Sequence, residues 1–140
     1  MNGVERRLLV FTMAGRLYAF DLAQVAEVSE LQPFWPIPAV PPCYPGAMNF
    51  HGSIVAVLDL AQFMGLPACH APQKLIVLEK GIASLAFLVE RVARIAAGDQ
   101  LEIRPAPELA FASALIALSE GEATLLDAAE IAQRAAETMI

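Results

Sequence analysis

Five side chains of this 140-residue sequence have the chemistry to ligate a metal or attack an electrophile: Cys43, His51, Asp59, Cys69 and His70. Thiolate, imidazole and carboxylate are the usual zinc ligands, and a thiol activated by a nearby imidazole is a common nucleophile. Spacing argues against both uses. Zinc sites favour close pairs such as CxxC or HxxxH, whereas Cys43 and Cys69 lie 26 positions apart. Cys69 and His70 are adjacent, and neighbouring side chains in extended chain point to opposite sides. No third orienting residue and no oxyanion loop accompanies them. The expectation is no catalytic residue, no metal and no cofactor. The alternative is a ligand- or metal-binding β-domain using His51 and Asp59.

The elements that carry these residues are more informative. From Ile37 to Leu60 the chain reads IPAVPPCYPGAMNFHGSIVAVLDL. Its prolines fix φ and remove backbone donors, which stiffens an extended segment. Gly46 and Gly52 supply freedom at two bends, and Ser53 to Leu60 is an apolar, β-branched strand. Asp59 can cap a short helix ended by Gly65. Phe34 and Trp35, between Pro33 and Pro36, form either an exposed anchor or a loop tucked over the first strands. The stretch looks like a shaped protein surface.

Composition limits the function classes. Hydrophobic residues make up 57% of the chain and mean hydropathy is +0.55, yet no apolar run approaches the roughly 18 residues of a membrane span. The excess reads as core plus some exposed apolar surface, which signals partners. A net charge of −6 and scattered Lys and Arg residues lack the basic stripe that nucleic-acid binding needs. The N-terminus has no signal-peptide layout, and two isolated cysteines suit a reduced, cytoplasmic protein.

The chain says nearly the same thing twice. Leu8–Met13, the turn Ala14-Gly15 and Leu17–Phe20 read as a β-hairpin. Asp21 then caps one helical turn before a strand at Val25–Val28. Lys74–Glu79, the two-residue turn Lys80-Gly81 and Ile82–Val89 repeat the hairpin, and Val92–Ile95 repeats the strand. Tyr18-Ala-Phe20 matches Leu85-Ala-Phe87 at an offset of 67, as Val25 and Val28 match Val92 and Ile95. Leu58-Asp59 matches Leu126-Asp127 at an offset of 68. The expected fold is mainly β: two similar small barrels, lobe 1 over 6–66 and lobe 2 over 74–127, joined by a linker at 67–73. Ile131, Ala132, Ala135 and Met139 recur at helical spacing, which predicts a C-terminal helix over 128–139 capped by Asp127.

Taken in order, these segments resemble the CheW-like domain, the adaptor of bacterial chemosensory signalling. The resemblance spans nearly the whole chain, residues 1–140, as one domain. It rests on Leu9-Val-Phe-Thr12 with Tyr18 and Asp21, on Val25-Ala-Glu-Val28, and on Ile37-Pro, Pro41, Gly46, Asn49, Gly52, Ile54-Val55 and Leu58-Asp-Leu60. Ile103-Arg-Pro-Ala-Pro-Glu108, a loop before the closing strands, and Leu125-Leu-Asp127 complete it. It implies two interlocked five-stranded, SH3-like β-barrels with short helices and no enzymatic activity. The implied partners are a histidine kinase regulatory domain and the cytoplasmic tip of a chemoreceptor, with one lobe docking the kinase and the inter-lobe groove taking the receptor. Three positions depart from the family pattern. His51 stands where an arginine is usual, Ala56 where proline is frequent, and Glu90-Arg91 where Asp-Gly is usual.

The candidate partner-binding residues are therefore Val25, Glu27, Val28, Asn49, His51, Ile54, Val89 and Glu90, with Gly46, Gly52, Asp59 and Asp127 as structural positions. By strand alternation alone, Val25 and Val28 read as core and Glu27 as either docking or solvated. Two further functions compete with the adaptor: a homotypic module forming homo-oligomers in a non-chemotaxis pathway, and the groove-binding β-domain named above.

Overall fold

The computed structural model describes residues 6–67, 74–97, 101–106 and 111–138. Cys69 and His70, most of the expected linker, Pro107-Glu108 and Met139 lie outside them. Strand β1 (Arg7–Met13) turns through Ala14 and Gly15 into β2 (Arg16–Asp21). Both turn residues have positive φ, 52° and 74°, the type I′ geometry whose twist matches a two-residue hairpin. Asp21 accepts from the Ala23 N–H at 3.0 Å and starts a single 3-10 turn, Leu22–Gln24. Strand β3 (Val25–Glu30) follows. After the prolyl segment come β4 (Gly46–Phe50), β5 (Ser53–Asp59) and the one-turn helix α1 (Leu60–Phe63). Asp59 accepts from the Gln62 N–H at 3.2 Å. At the other end Gly65, with φ 75°, lets the Gly65 and Leu66 N–H groups bond the Gln62 and Ala61 carbonyls at 3.1 and 2.8 Å. That is a Schellman ending.

The second half supplies β6 (Lys74–Leu78), β7 (Leu85–Val89), β8 (Arg91–Ala97), β9 (Glu102–Pro105), β10 (Ala112–Leu118), β11 (Gly121–Leu126) and helix α2 (Ala128–Thr138). Two details differ from the sequence expectation. The β6–β7 connection is Glu79–Ser84, longer than a two-residue turn, because the Glu79 N–H leaves the ladder for the Gln24 carbonyl at 3.0 Å. Ile103–Pro105, expected as loop, is strand: Ile103 pairs with Ile116 and Arg104 with Leu115. Pro105 is tolerated there because β9 is an edge strand.

The strands form a six-stranded sheet, β8-β1-β2-β11-β10-β9, and a five-stranded sheet, β3-β6-β7-β5-β4. The repeat explains both orders. Shifting β3, β1, β2, β5 and β4 by one repeat gives β8, β6, β7, β11 and β10. Each sheet therefore contains a hairpin from one half and three matching strands from the other; among the described residues β9 has no counterpart strand, and the single bridge of Trp35 with Ala47 stands in its place. The sheets are not the contiguous stretches 6–66 and 74–127; the halves exchange strands reciprocally. The fold is mainly β in two interlaced sheets, and neither sheet closes through a backbone ladder among the described residues.

Alternation divides the apolar residues between three clusters. On β1, Leu9, Phe11 and Met13 enter a large cluster shared by both sheets, while Leu8 and Val10 line a small one private to the six-stranded sheet. On β6, Ile76 and Leu78 enter the shared cluster, and Leu75 and Val77 join a second private one with Met48, Val55 and Leu88. Phe11, Phe20 and Phe87 stack through the shared cluster with centroids 5.0 and 5.4 Å apart. Helix α2 covers one end with Ile131, Ala132 and Ala135.

Candidate protein-docking surface

The candidate residues gather around the β4–β5 hairpin. Its turn is His51-Gly52, with φ 49° and 85°, again type I′. Histidine is among the few side chains enriched at positive φ. Asn49 Oδ1 accepts from the Gly52 N–H at 3.0 Å and locks the turn. The hairpin leans across an opening toward the far edge of the same sheet, where His51 Nε2 lies 3.2 Å from Glu27 Oε1 on β3. The Phe50 ring packs against the imidazole with centroids 4.2 Å apart. A groove of about 430 Å³ runs behind this contact, lined by Phe50, His51, Val55, Val77, Lys80 and Leu85.

The structure brings Glu27, Asn49, His51 and Gly52 together, with Ile54 paired to Asn49 in the same hairpin, and places Val89 and Glu90 elsewhere. Val28, opposite Ile76, lies on the shared-cluster face yet is exposed, because β3 is the sheet edge and nothing in the cluster reaches past it. The expectation that alternation buries Val28 fails for that reason. Val25 is half-buried against the shared cluster. Ile54 pairs with Asn49 and is 65% exposed. Val89 is a correction: it is 1% exposed within the shared cluster and presents nothing to a partner. Glu90 accepts from Thr12 Oγ1 at 3.3 Å.

Gly46 has a steric reason. The Trp35 N–H and carbonyl bond the Ala47 carbonyl and N–H at 2.9 and 2.8 Å, which draws the two backbones so close that a Cβ on residue 46 would sit 2.3 Å from the Trp35 oxygen. The prolyl segment is thus pinned by its backbone while the Trp35 and Phe34 rings stay exposed. Together with Val28, Leu31 and Ile54 they are the exposed large apolar side chains of this half.

Several residues escaped sequence reading. The Gln24 carboxamide accepts from the Ala128 N–H at 3.0 Å and donates to Asp127 Oδ1 at 3.3 Å, which fixes the start of α2. Tyr44 Oη donates to the Ala135 carbonyl at 2.9 Å, and burial pushes its phenol up. Arg94 and Glu120 form the six-stranded sheet's version of the Glu27–His51 contact, with bonds of 2.9 and 3.0 Å. The repeat offset, which carries Glu27 onto Arg94 and His51 onto Ser119 beside Glu120, is the signal that could have found Arg94. The Arg94 guanidinium holds the Glu120 carboxyl down at about 2. A second groove, about 640 Å³, opens between Leu17, Tyr18 and Leu126 of the six-stranded sheet and Met64 and Leu66 beyond α1.

Among the described residues, Cys43 and His51 are the candidate reactive groups, and neither is activated as a nucleophile by its surroundings. The Cys43 thiol is pushed up by burial and further by the Asp59 charge, the reverse of nucleophile activation. His51 is engaged with Glu27, and among the described residues no group of three His, Cys, Asp or Glu side chains could hold a metal. No helix of the described residues is long and apolar enough to cross a membrane.

The family model for the CheW-like domain matches residues 7–136. The chain belongs to that family. Among its relatives, the chemotaxis protein CheW of Klebsiella aerogenes is 27% identical over 132 residues, covering 89% of this chain and 80% of the relative. The Bacillus subtilis chemotaxis protein CheW is 25% identical over 104 residues, covering 73% and 67%. The crystal structure of the scaffolding protein TtCheW from Thermoanaerobacter tengcongensis superposes with a TM-score of 0.78 at 23% identity, covering 88% of this chain and 89% of that one. The interlaced pair of sheets is thus a CheW-like architecture, and its six-to-five strand count comes from β9.

Proposed function

We propose that this CheW-like chain is a non-enzymatic, cytoplasmic adaptor of a chemosensory pathway, coupling chemoreceptors to a CheA-type histidine kinase. The observation that carries the reading is the family match over residues 7–136. The relatives' names, chemotaxis protein CheW and a scaffolding protein, point the same way. The surface suits the task. Asn49 and His51 are held by a locked hairpin, His51 reaches Glu27 on β3, and Ile54, Phe34 and Trp35 expose apolar area beside them. A surface already ordered before contact loses little conformational entropy on binding. The kinase regulatory domain docks on this five-stranded sheet, and the groove between Tyr18 and Leu66 takes the receptor tip.

Titration calorimetry with the regulatory domain of a chemosensory kinase tests the first half. Saturable binding is expected, weakened by Ile54→Glu on a folded background. No heat at tens of micromolar with folded protein would remove the kinase assignment.

A further inference from the structure

The repeat gives both sheets the same mouth, beside the β4–β5 turn in one and the β10–β11 turn in the other. In the six-stranded sheet three leucines cover it: Leu17, Leu101 and Leu118 pack against that sheet's private cluster. Their counterparts follow from the pairing. Leu118 pairs with Gly121 as Phe50 pairs with Ser53, an offset of 68. Leu17 pairs with Ala123, and its counterpart at the offset of 67 is Ser84. Arg104 pairs with Leu115 as Trp35 bridges Ala47. Positions 104 and 35 differ by 69, which makes Gln32 the counterpart of Leu101. Gln32 is committed elsewhere, since its Nε2 donates to Ser29 Oγ at 2.9 Å. Of three covering side chains, the five-stranded sheet keeps one, Phe50.

The groove of about 430 Å³ is the result, walled by Phe50, Val55, Val77 and Leu85 with Ser84 among them. We infer that it seats an aliphatic side chain of the docked partner, doing from outside what Leu101 does from within. The inference rests on the proposed adaptor reading, so the partner is the kinase regulatory domain. Three observations select this occupant. Leu101 shows the chemistry that fits such a mouth: an aliphatic residue one position before an exposed edge strand. Phe50 and His51 belong to the groove and to the docking surface alike, so a partner on that surface covers the mouth. Glu79 and Lys80 line the groove side by side, and their opposite charges favour an uncharged group. Anchors buried in such pockets carry much of an interface's binding energy, because they lose water on every side.

Methyl NMR on the intact chain, titrated with the kinase regulatory domain, tests the anchor. The Val55, Val77 and Leu85 methyl signals should shift and show Overhauser contacts to an aliphatic side chain of the partner. Ser84→Leu restores the residue of the other repeat and fills the groove. It should melt no lower than wild type and bind the partner about tenfold or more weakly, while Ser84→Ala binds like wild type. Binding by wild type with those methyls unmoved overturns the anchor and leaves the adaptor reading standing. A folded Ser84→Leu that binds like wild type has the same meaning. Wild type that fails to bind at all removes both. Shifts that grow with the chain's own concentration, without the partner, make a second copy the occupant and also overturn it. Should Ser84→Leu fail to fold, the wild-type methyls decide alone.

Discussion

The rings of Phe20 and Phe87 stack with centroids 5.4 Å apart and planes 28° from parallel, although 67 positions separate them. They are the same residue of the two repeats. Phe20 pairs across its sheet with Leu126 and Phe87 with Leu58, which are themselves repeat equivalents. The local two-fold relation of the molecule therefore runs close to this ring pair, and both halves depend on it. Phe87→Leu should cost about 1–2 kcal/mol by urea denaturation, and Phe87→Ala about 3–5 kcal/mol. A Phe87→Ala change of under 1 kcal/mol would mean that the shared cluster repacks freely.

Gly46→Ala sets a Cβ against the Trp35 carbonyl, a backbone atom that cannot swing away. Overpacking of this kind costs roughly 1–3 kcal/mol. The Trp35–Ala47 bridge should break, and the emission of Trp35, the chain's single tryptophan, should shift to the red. A melt and an emission spectrum identical to wild type would show that the close approach is not maintained in solution.

Ala14 pays for its left-handed conformation at φ 52°, since a Cβ there costs roughly 1–2 kcal/mol. Asn tolerates that region and leads the preferences for a type I′ turn. Ala14→Asn should raise stability by about 1 kcal/mol, seen as a higher melting temperature with unchanged denaturant slope.

Glu120 ties the six-stranded sheet to acid behaviour. Its carboxyl is held at about 2, first by the Arg94 hydrogen bond. A depressed carboxylate stabilises the fold above its unfolded value, near 4.3, and that contribution is lost as pH falls toward 2. Carboxyl NMR should place the Glu120 midpoint close to 2 in wild type and near the ordinary range in Arg94→Gln. Equal midpoints in the two proteins would mean that the pair does not persist in water.

Asp127 accepts from the Ala129 and Glu130 N–H groups at 3.0 and 3.3 Å and also receives Gln24. Asp127→Ala should cost about 0.5–2 kcal/mol through the lost cap. Amide exchange should rise first at Ala128–Ile131. Uniform exchange along α2 would show that the helix is held by its packing alone.

Strand content was legible wherever turn chemistry was strong. Ala14-Gly15, Asp21, Asp59-Leu60 and Asp127 mark their elements because the relevant φ values and donors are local. The repeat was legible as well, through Phe20 and Phe87. What the repeat could not reveal is that β3 joins β6 and β8 joins β1, since an offset reports likeness and carries no information on pairing. Val28 and Val89 show the same limit at the site. Both sit in apolar strand positions, and only the edge position of β3 makes one exposed while the other is buried. β9 differs from the loop that the family resemblance implies at Ile103–Glu108, and Pro105 fits a strand there only because β9 is an edge.

The exchange of strands also sets the order of events during synthesis. Hairpin β1–β2 is made well before its neighbours, since Leu17 pairs with Ala123 and Arg7 with Ala97. A chain stopped after α1 would carry four strands whose partners have not been made, a state prone to sticking. Non-local pairing of this kind slows folding. Strands β1 and β2 wait for β8 and β11.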